Sequence, residues 1–179
     1  LAMFGSSKFT VVGEHDGDEL KTLMGPNQPR LIVVAPNGVG DAGFELDPER
    51  ENDVVFVAHL GWTPNVSAAV WLVEEVWPYV LDSMPEARLK LVGRSPARNV
   101  LSLASSSVSV HADVDSVLPY VARARVATAP LLAAGGTRLK ILEALSCGTP
   151  VVSTSLGALG LTHLPGDSLT VVDEPYGFA

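Results

Sequence analysis

The pattern of apolar and polar residues becomes regular at about residue 54. From there on, short apolar segments, of which Val54–Ala58 is a continuous apolar run, alternate with stretches of helical periodicity. Continuous runs are typical of strands buried on both faces of a parallel sheet, and their alternation with helices predicts a doubly wound α/β fold. The six predicted strands are Val54–Ala58, Arg88–Gly93, Ser107–Ala112, Arg125–Pro130, Pro150–Thr154 and Ser168–Val172.

Helices are predicted between these strands. In the longest, Asn65–Met84, Thr63 or Asn65 is a candidate N-cap, and Pro78 should kink the helix or begin a second segment because proline lacks the helical N–H donor. The other predicted helices are Ala97–Ala104, Asp115–Ala124 and about Thr137–Cys147.

The first 53 residues have a different organisation. Their predicted elements are a strand, a helix and a strand: Lys8–Gly13, Gly17–Met24 and Arg30–Ala35. Residues 36–53 are rich in glycine, proline and acids, which is typical of a linker, and the acidic stretch Glu45–Asp53 is expected to be a solvated connection. The predicted organisation is therefore 1–35, a linker at 36–53, and an α/β domain at 54–179.

Composition excludes several classes of protein. The net charge of −8 argues against general affinity for nucleic acid. The single cysteine, Cys147, excludes a disulfide framework and a cysteine metal cluster, and it favours a reducing, cytosolic setting. No apolar run approaches the roughly 20 residues that a membrane-spanning helix needs. The sequence starts at Leu1 and stops soon after the last predicted strand, so it is expected to be a piece of a longer protein.

Ligands of doubly wound sheets bind beyond the carboxyl ends of the strands, where the strand order reverses. In the common order 3-2-1-4-5-6 this crevice lies between the first and fourth strands, and its walls would be His59–Asn65 and Pro130–Gly136. Glycines at such an edge let the backbone approach a ligand closely. The candidate binding residues in these and the neighbouring loops are His59, Gly61, Gly93, Gly135, Gly136, Thr137, Gly157 and Leu161.

Two cations, Arg138 and Lys140, lie at the start of the helix that follows the fourth strand. The first turn of a helix exposes unpaired N–H groups and carries partial positive charge, so acidic residues are the usual choice there. The same features bind anions. This cation pair, unfavourable for an empty helix, therefore indicates a site for a phosphate group.

Glu143 follows the cation pair on the same helix and has two interpretations. At the crevice, its carboxylate could accept two hydrogen bonds from the hydroxyl groups of a ribose. It could also form only a surface ion pair with Lys140, although the order of the two residues is the less favourable one. The residues by themselves leave both open.

Three stretches of the sequence resemble family 4 of the retaining glycosyltransferases, which have the GT-B fold. GGTRLKILEALSCGTPVVSTSLGALGL, residues 135–161, resembles the family's signature. VVAPNGVGDAGF, residues 33–44, is similar to its interdomain stretch, and residues 55–93 are similar to the first βαβ unit of its donor-binding domain. The resemblance covers almost the whole chain.

The resemblance implies an organisation of two facing Rossmann-like domains, of which the C-terminal one binds a nucleotide-sugar without a metal. Residues 54–179 would be that donor-binding domain, truncated at its C-terminus. Residues 1–35 would be a remnant of the N-terminal, acceptor-binding domain, most of which is missing from this sequence.

The resemblance also assigns roles to single residues. Glu143 matches the second glutamate of the family's paired-glutamate motif, which binds the nucleotide ribose, whereas Gly135 stands where the first glutamate usually is. Most members hold the diphosphate with an Arg and a Lys after the first strand, and here those positions are His59 and Pro64. The cation pair would replace the missing charge, which makes Arg138, Lys140 and Glu143 the candidate catalytic residues.

The activity implied is metal-independent glycosyl transfer with retention, of a hexose type, from a nucleoside-diphosphate-sugar to an unknown glycan or lipid-linked acceptor. No cofactor other than this donor substrate is expected, and the isolated piece would be inactive. The family suggests bacterial polysaccharide assembly, in the cytoplasm or at the periphery of the inner membrane. Two alternatives remain: a non-catalytic nucleotide-binding or interaction module, favoured by Gly135, and a sugar-nucleotide epimerase of similar fold, for which the sequence offers no clear acid–base carboxylates.

Overall fold

The computed structural model describes residues 8–25, 31–40, 50–133, 139–161, 164 and 167–179. The chain forms two compact units, Leu1–Gly38 and Val39–Ala179. In the first unit, two parallel strands, β1 (Lys8–Val11) and β2 (Leu31–Val34), are joined through helix α1 (Glu14–Met24). The predicted strand–helix–strand order is confirmed, and the helix begins three residues before the predicted start.

The second unit contains a six-stranded parallel sheet. Its strands are β3 (Asp53–His59), β4 (Arg88–Arg94), β5 (Val108–Ala112), β6 (Val126–Ala129), β7 (Val151–Ser153) and β8 (Leu169–Val171). Their order across the sheet is β5-β4-β3-β6-β7-β8, which is the 3-2-1-4-5-6 order of the Rossmann-like fold. All six strand predictions are confirmed, and the strand order reverses between β3 and β6 as expected.

Helices cover both faces of this sheet. They are α2 (Thr63–Trp71), a π-helical turn (Leu72–Val76), α3 (Trp77–Ser83), α4 (Arg98–Leu101), α5 (Leu118–Arg123), α6 (Leu139–Ser146) and α7 (Pro175–Phe178). On one face, α2 and α4 pack with the buried side chains of Leu89 and Leu91. On the other face, α5 and α6 pack with Val55 and Val92. The short α7, which the sequence pattern does not predict, adds Phe178 to the first face.

Pro78 explains the break in the long predicted helix. It lies in the first turn of α3, directly after the π-helical turn. Proline has no N–H, and its ring would clash with the carbonyl group of Glu74, four residues earlier, in a regular α-helix. A wider turn relieves that clash. The prediction that Pro78 begins a second segment is confirmed.

The predicted N-cap of the long helix is wrong. Trp62 precedes the first turn of α2, and no side chain caps that turn. Pro64 lies in the turn with its φ fixed near the helical value, so Thr63 is already helical. The Asn65 side chain instead donates a hydrogen bond from Nδ2 to the carbonyl oxygen of His59, over 3.0 Å.

The acidic stretch before the sheet is only partly solvated, contrary to the prediction. Residues 41–49 lie outside the described residues, but Asp53 is buried at the start of β3 and forms an ion pair with Lys90. Lys90 also pairs with Glu51, over 2.8 Å. Arg50 donates hydrogen bonds to the carbonyl oxygen of Ala124 and to Thr149. The end of the predicted linker is therefore held by ion pairs and hydrogen bonds near the amino ends of the central strands.

Candidate functional site

A cleft of about 710 Å³ lies at the carboxyl ends of β3 and β4. Its walls are the ends of these two strands, the segment that follows β5, the first turn of α5 and the first two turns of α6. The residues that line it are Val57, Ala58, His59, Gly93, Arg94, Val114, Asp115, Ser116, Val117, Leu118, Lys140 and Glu143. The cleft therefore adjoins the reversal of strand order, where the sheet topology predicts a ligand site.

Lys140 reaches from α6 across the carboxyl end of β3. Its Nζ donates a hydrogen bond to Oδ1 of Asn65 in α2, over 3.4 Å, and lies 5.0 Å from the centre of the Phe56 ring. An ammonium group over an aromatic face is attracted by the ring's quadrupole. The side chain thus connects the helices that lie on opposite faces of the sheet.

Burial lowers the pKa of Lys140 to about 8, although the nearby carboxylate of Glu143 works in the opposite direction. Its contacts to Asn65 and Phe56 are both with neutral groups. A partly desolvated ammonium gains more from an incoming anion than a fully hydrated one does. The local electrostatics therefore favour a negatively charged ligand beside Lys140.

Glu143 lines the same cleft and is partly buried one turn after Lys140. The amphipathic pattern of α6 produces this arrangement, because Ile141 and Ala144 are buried against the sheet and leave the two charged residues at the margin of that face. The predicted residues Gly135, Gly136, Thr137 and Arg138 lie outside the described residues.

His59 and Gly93 also line the cleft, as the last part of β3 and β4. His59 is exposed. Gly93 is buried with φ at 153°, and a Cβ atom on it would overlap the carbonyl oxygen of Ala58 on the neighbouring strand. The close approach that requires glycine here is between two strands, so packing explains this residue without a ligand.

Three other predicted binding residues do not line the cleft. A Cβ atom on Gly61 would lie 2.5 Å from the carbonyl oxygen of Ser95, and one on Gly157 would overlap the carbonyl oxygen of Ala129. The N–H of Gly157 donates to the hydroxyl group of Thr154, and the N–H of Leu161 donates to a carbonyl oxygen within the same loop. The structure therefore brings together Lys140, Glu143, His59 and Gly93 among the described candidates, but not these three.

The segment after β5 was not predicted as part of the site. Asp113 has a positive φ of 52°, and its carboxylate accepts a hydrogen bond from the N–H of Ser95 over 2.9 Å. Ser95 also has a positive φ, of 48°. This bond ties the loops after β4 and β5 together and places Arg94 and Asp115 along one wall of the cleft. The only sequence signal is the Asp-Val-Asp-Ser run between strand and helix.

The described part of the chain contains neither a metal-binding cluster nor a membrane-spanning helix. No three His, Cys, Asp or Glu side chains cluster there in the manner of a metal site. Within the same residues, none of the helices has the length and apolar character needed to cross a membrane.

The comparison with known proteins identifies a family through a model that matches most of the chain. The profile of the family described as "Glycosyl transferases group 1" matches residues 51–179. One of the subunits of human phosphatidylinositol N-acetylglucosaminyltransferase is 26% identical to this chain over 160 residues, which are 82% of this chain and 31% of that protein. The chain spans about a third of the length of the curated relatives it matches.

Solved structures share the fold at low sequence identity. TarM has a TM-score of 0.73 at 11% identity, with 96% of this chain and 34% of that chain covered. Anabaena Alr3699/HepE, which was solved in complex with UDP and glucose, has a TM-score of 0.71 at 15% identity, with 95% and 50% covered. The sheet is thus a Rossmann-like domain of the type found in GT-B glycosyltransferases. Because the matched residues include all six strands and the whole described cleft, this protein belongs to the glycosyl transferases group 1 family.

Proposed function

We propose that residues 54–179 form the donor-binding half of a retaining, metal-independent hexosyltransferase, and that residues 1–35 belong to its acceptor-binding half. The donor is a nucleoside-diphosphate-sugar, and the acceptor is a glycan or a lipid-linked glycan. The observation that carries this proposal is the joint location of Lys140 and Glu143 on one cleft at the carboxyl edge of the sheet.

The chemistry of glycosyl transfer assigns a role to each of these residues. As the bond from the sugar to the diphosphate breaks, negative charge builds on the leaving diphosphate, and preorganised cations are the expected main source of stabilisation. Lys140 supplies such a charge, with Arg138 beside it in sequence. Glu143 accepts hydrogen bonds from the ribose hydroxyl groups and holds the nucleotide in register. This reaction needs no covalent nucleophile from the donor-binding half.

The contact between Lys140 and Asn65 supports the idea that a cation on α6 replaces the one that family members carry after the first strand. Family members commonly carry a lysine after the first strand, at the position that Pro64 has here. In this chain the ammonium of Lys140 lies 3.4 Å from the side chain of the next residue, Asn65. A cation from α6 therefore reaches the region that the family's lysine would serve.

The donor, the acceptor and the cellular location of the enzyme are proposed from what the family suggests. Relatives solved with UDP make UDP-sugars the first donors to test. The acceptor chemistry fits bacterial polysaccharide assembly, with the full protein in the cytoplasm or at the inner face of the membrane. The replacement of the first family glutamate by Gly135 favours, as a second candidate, a module that binds the nucleotide without transferring its sugar.

Isothermal titration of the chain with UDP, GDP and ADP tests the proposed site. We expect one of these nucleotides to bind, and Lys140→Met to weaken that binding by roughly tenfold or more, because a charge-assisted hydrogen bond is lost. Lys21→Met is the matched control, since Lys21 lies in the other unit and pairs with Asp18 on the surface. Equal binding by native chain and Lys140→Met would exclude the site.

Transfer of sugar is tested separately, in the full-length protein with UDP-sugars. Release of UDP that depends on an added glycan acceptor supports the transferase. Nucleotide binding without any release of UDP would favour the non-catalytic module instead.

A further inference from the structure

Asn65 is a buried polar residue at the edge of the candidate site. The residue is only 5% exposed and lies in the first turn of α2. The Nδ2 group donates to the carbonyl oxygen of His59, the last residue of β3. A buried amide that lacked such partners would destabilise the fold, so this bond accounts for one half of the side chain.

The orientation of this amide is determined by its partners. The carbonyl oxygen of His59 can only accept a hydrogen bond, so the NH₂ group of Asn65 must face it. The Oδ1 atom then faces the other way, toward Nζ of Lys140, which can only donate. The two bonds form one chain that runs from the end of β3 through Asn65 to the ammonium group on α6.

We propose that Asn65 is a positioning residue of the donor site, whose carboxamide aims the ammonium of Lys140 at the diphosphate of the bound nucleotide. This inference rests on the proposed function, because it assigns the anion beside Lys140 to a nucleoside diphosphate. Asn65 itself does not line the cleft. It acts through Lys140, which does.

The packing around Lys140 shows why it needs this help. Lysine has four rotatable bonds in its side chain, and ordering it is opposed by a large conformational entropy. The Phe56 ring attracts the ammonium but offers no acceptor that would fix its direction. Asn65 adds a directional bond from the opposite helix.

The charged groups near Lys140 belong to several elements. Glu143 lies on its own helix, while His59, Arg94 and Asp115 line the cleft from β3, β4 and the segment after β5. Among the charged groups of the described residues, the Glu143 carboxylate raises the pKa of Lys140, whereas burial lowers it. An anion between these walls would therefore meet an ammonium whose position is set by a neutral partner.

Asn65→Leu, Lys140→Met and the double variant test the proposal in a thermodynamic cycle with UDP, GDP and ADP. Leucine has the same branched shape as asparagine but can form neither hydrogen bond. We expect Asn65→Leu to weaken nucleotide binding by about tenfold in the native background and less than about twofold in Lys140→Met, because the two residues act through one ammonium. Equal losses in both backgrounds would overturn the proposal.

The titration of Lys140, followed by NMR of its labelled ε-carbon without nucleotide, gives a second readout. Asn65→Asp keeps an acceptor for Lys140 and adds a negative charge, so the midpoint of Lys140 should move above about 8. This variant also serves if Asn65→Leu fails to fold. An unchanged midpoint would overturn the proposal about Asn65, whether or not the native chain binds a nucleotide. Failure of the native chain to bind any of the nucleotides would instead contradict the proposed function. If the native chain binds a nucleotide and neither substitution at Asn65 changes that binding, the role of Asn65 is contradicted while the proposed function stands.

Discussion

The guanidinium of Arg50 donates a hydrogen bond to the hydroxyl group of Thr149 over 2.7 Å, across 99 positions of sequence. The same guanidinium donates to the carbonyl oxygens of Ala124 and Gly148, at the ends of α5 and α6. A cation is favourable where a helix exposes its last carbonyl groups. Arg50 thus holds together the ends of the two helices whose beginnings line the cleft.

Arg50→Met should lower the free energy of unfolding of the sheet unit by about 2–3 kcal/mol, because the buried hydroxyl and several carbonyl groups lose their donor. Urea denaturation followed by tryptophan fluorescence measures this. Arg125→Met is a suitable control, since the exposed guanidinium of Arg125 donates a single 3.3 Å bond among the described residues, to Asn52. A change below about 0.5 kcal/mol for Arg50→Met would show that the anchor does not stabilise the fold.

The acidic pair at the start of β3 should make stability depend on pH. A hydrogen bond with Asp53 and the ammonium of Lys90 lower the pKa of Glu51 to about 2, from an unperturbed value of 4.5. A lowered folded-state pKa contributes stability that is present above pH 4.5 and is lost as the pH falls toward 2. Burial meanwhile raises the pKa of Asp53, which acts in the opposite sense.

Glu51→Gln should therefore cost about 1 kcal/mol or less at pH 6, since Glu51 is about half exposed and its interaction is screened. The cost should shrink at pH 3, as urea midpoints at the two pH values would show. Glu86→Gln, at an exposed glutamate, is the control. A cost for Glu51→Gln that is the same at both pH values would contradict the ion pair.

Nucleotide binding should weaken at alkaline pH. The pKa of Lys140 is lowered to about 8, so its ammonium is present below that pH and is lost above it. Titration of UDP into the chain should give nearly constant affinity from pH 7 to 7.5 and a steady decline toward pH 9.5. In Lys140→Arg the guanidinium stays protonated over this range, so the decline should disappear. The same decline in both proteins would assign the titration to another group.

Gly93→Ala tests the close approach of the two central strands. The added methyl group would overlap the carbonyl oxygen of Ala58, and φ at 153° disfavours any side chain. We expect a loss of at least about 3 kcal/mol in stability, or no folded protein. Gly40→Ala, where a Cβ atom would meet nothing within 4 Å, should be nearly neutral. A stable Gly93→Ala variant would show that the strands can separate.

Most of the fold could be predicted because strands and helices differ in their apolar pattern, and the six predicted strand segments from residue 54 onward correspond to the six strands observed. The prediction failed where tertiary contacts decide. Asp53 is acidic, yet it lies within β3 because Lys90 neutralises it. The short helix α7 is stabilised by the packing of Phe178 against Trp71, which no local pattern reveals.

The candidate site was predictable only in part. Because the carboxyl ends of parallel strands meet at one edge, the sequence predicted that His59, Gly93 and the start of α6 lie together, as they do. The sequence could not show that Lys140 bonds with Asn65, because the two residues are 75 positions apart and the bond depends on the tilt of two helices. The wall after β5 was missed because its conformation depends on the bond between Ser95 and Asp113, which joins two separate loops.

Helix α6 is anchored at its C-terminal end by Arg50 and carries Lys140 in its first turn and Glu143 one turn later. Because Lys140 and Glu143 lie on the same helix, any shift of α6 displaces both side chains together. A substitution beneath the helix, far from the cleft, would tilt both groups together and so change the contacts that we propose for the phosphate and the ribose of the donor. If the proposed function holds, differences in donor preference among related chains should therefore map to residues under this helix as well as to the walls of the cleft.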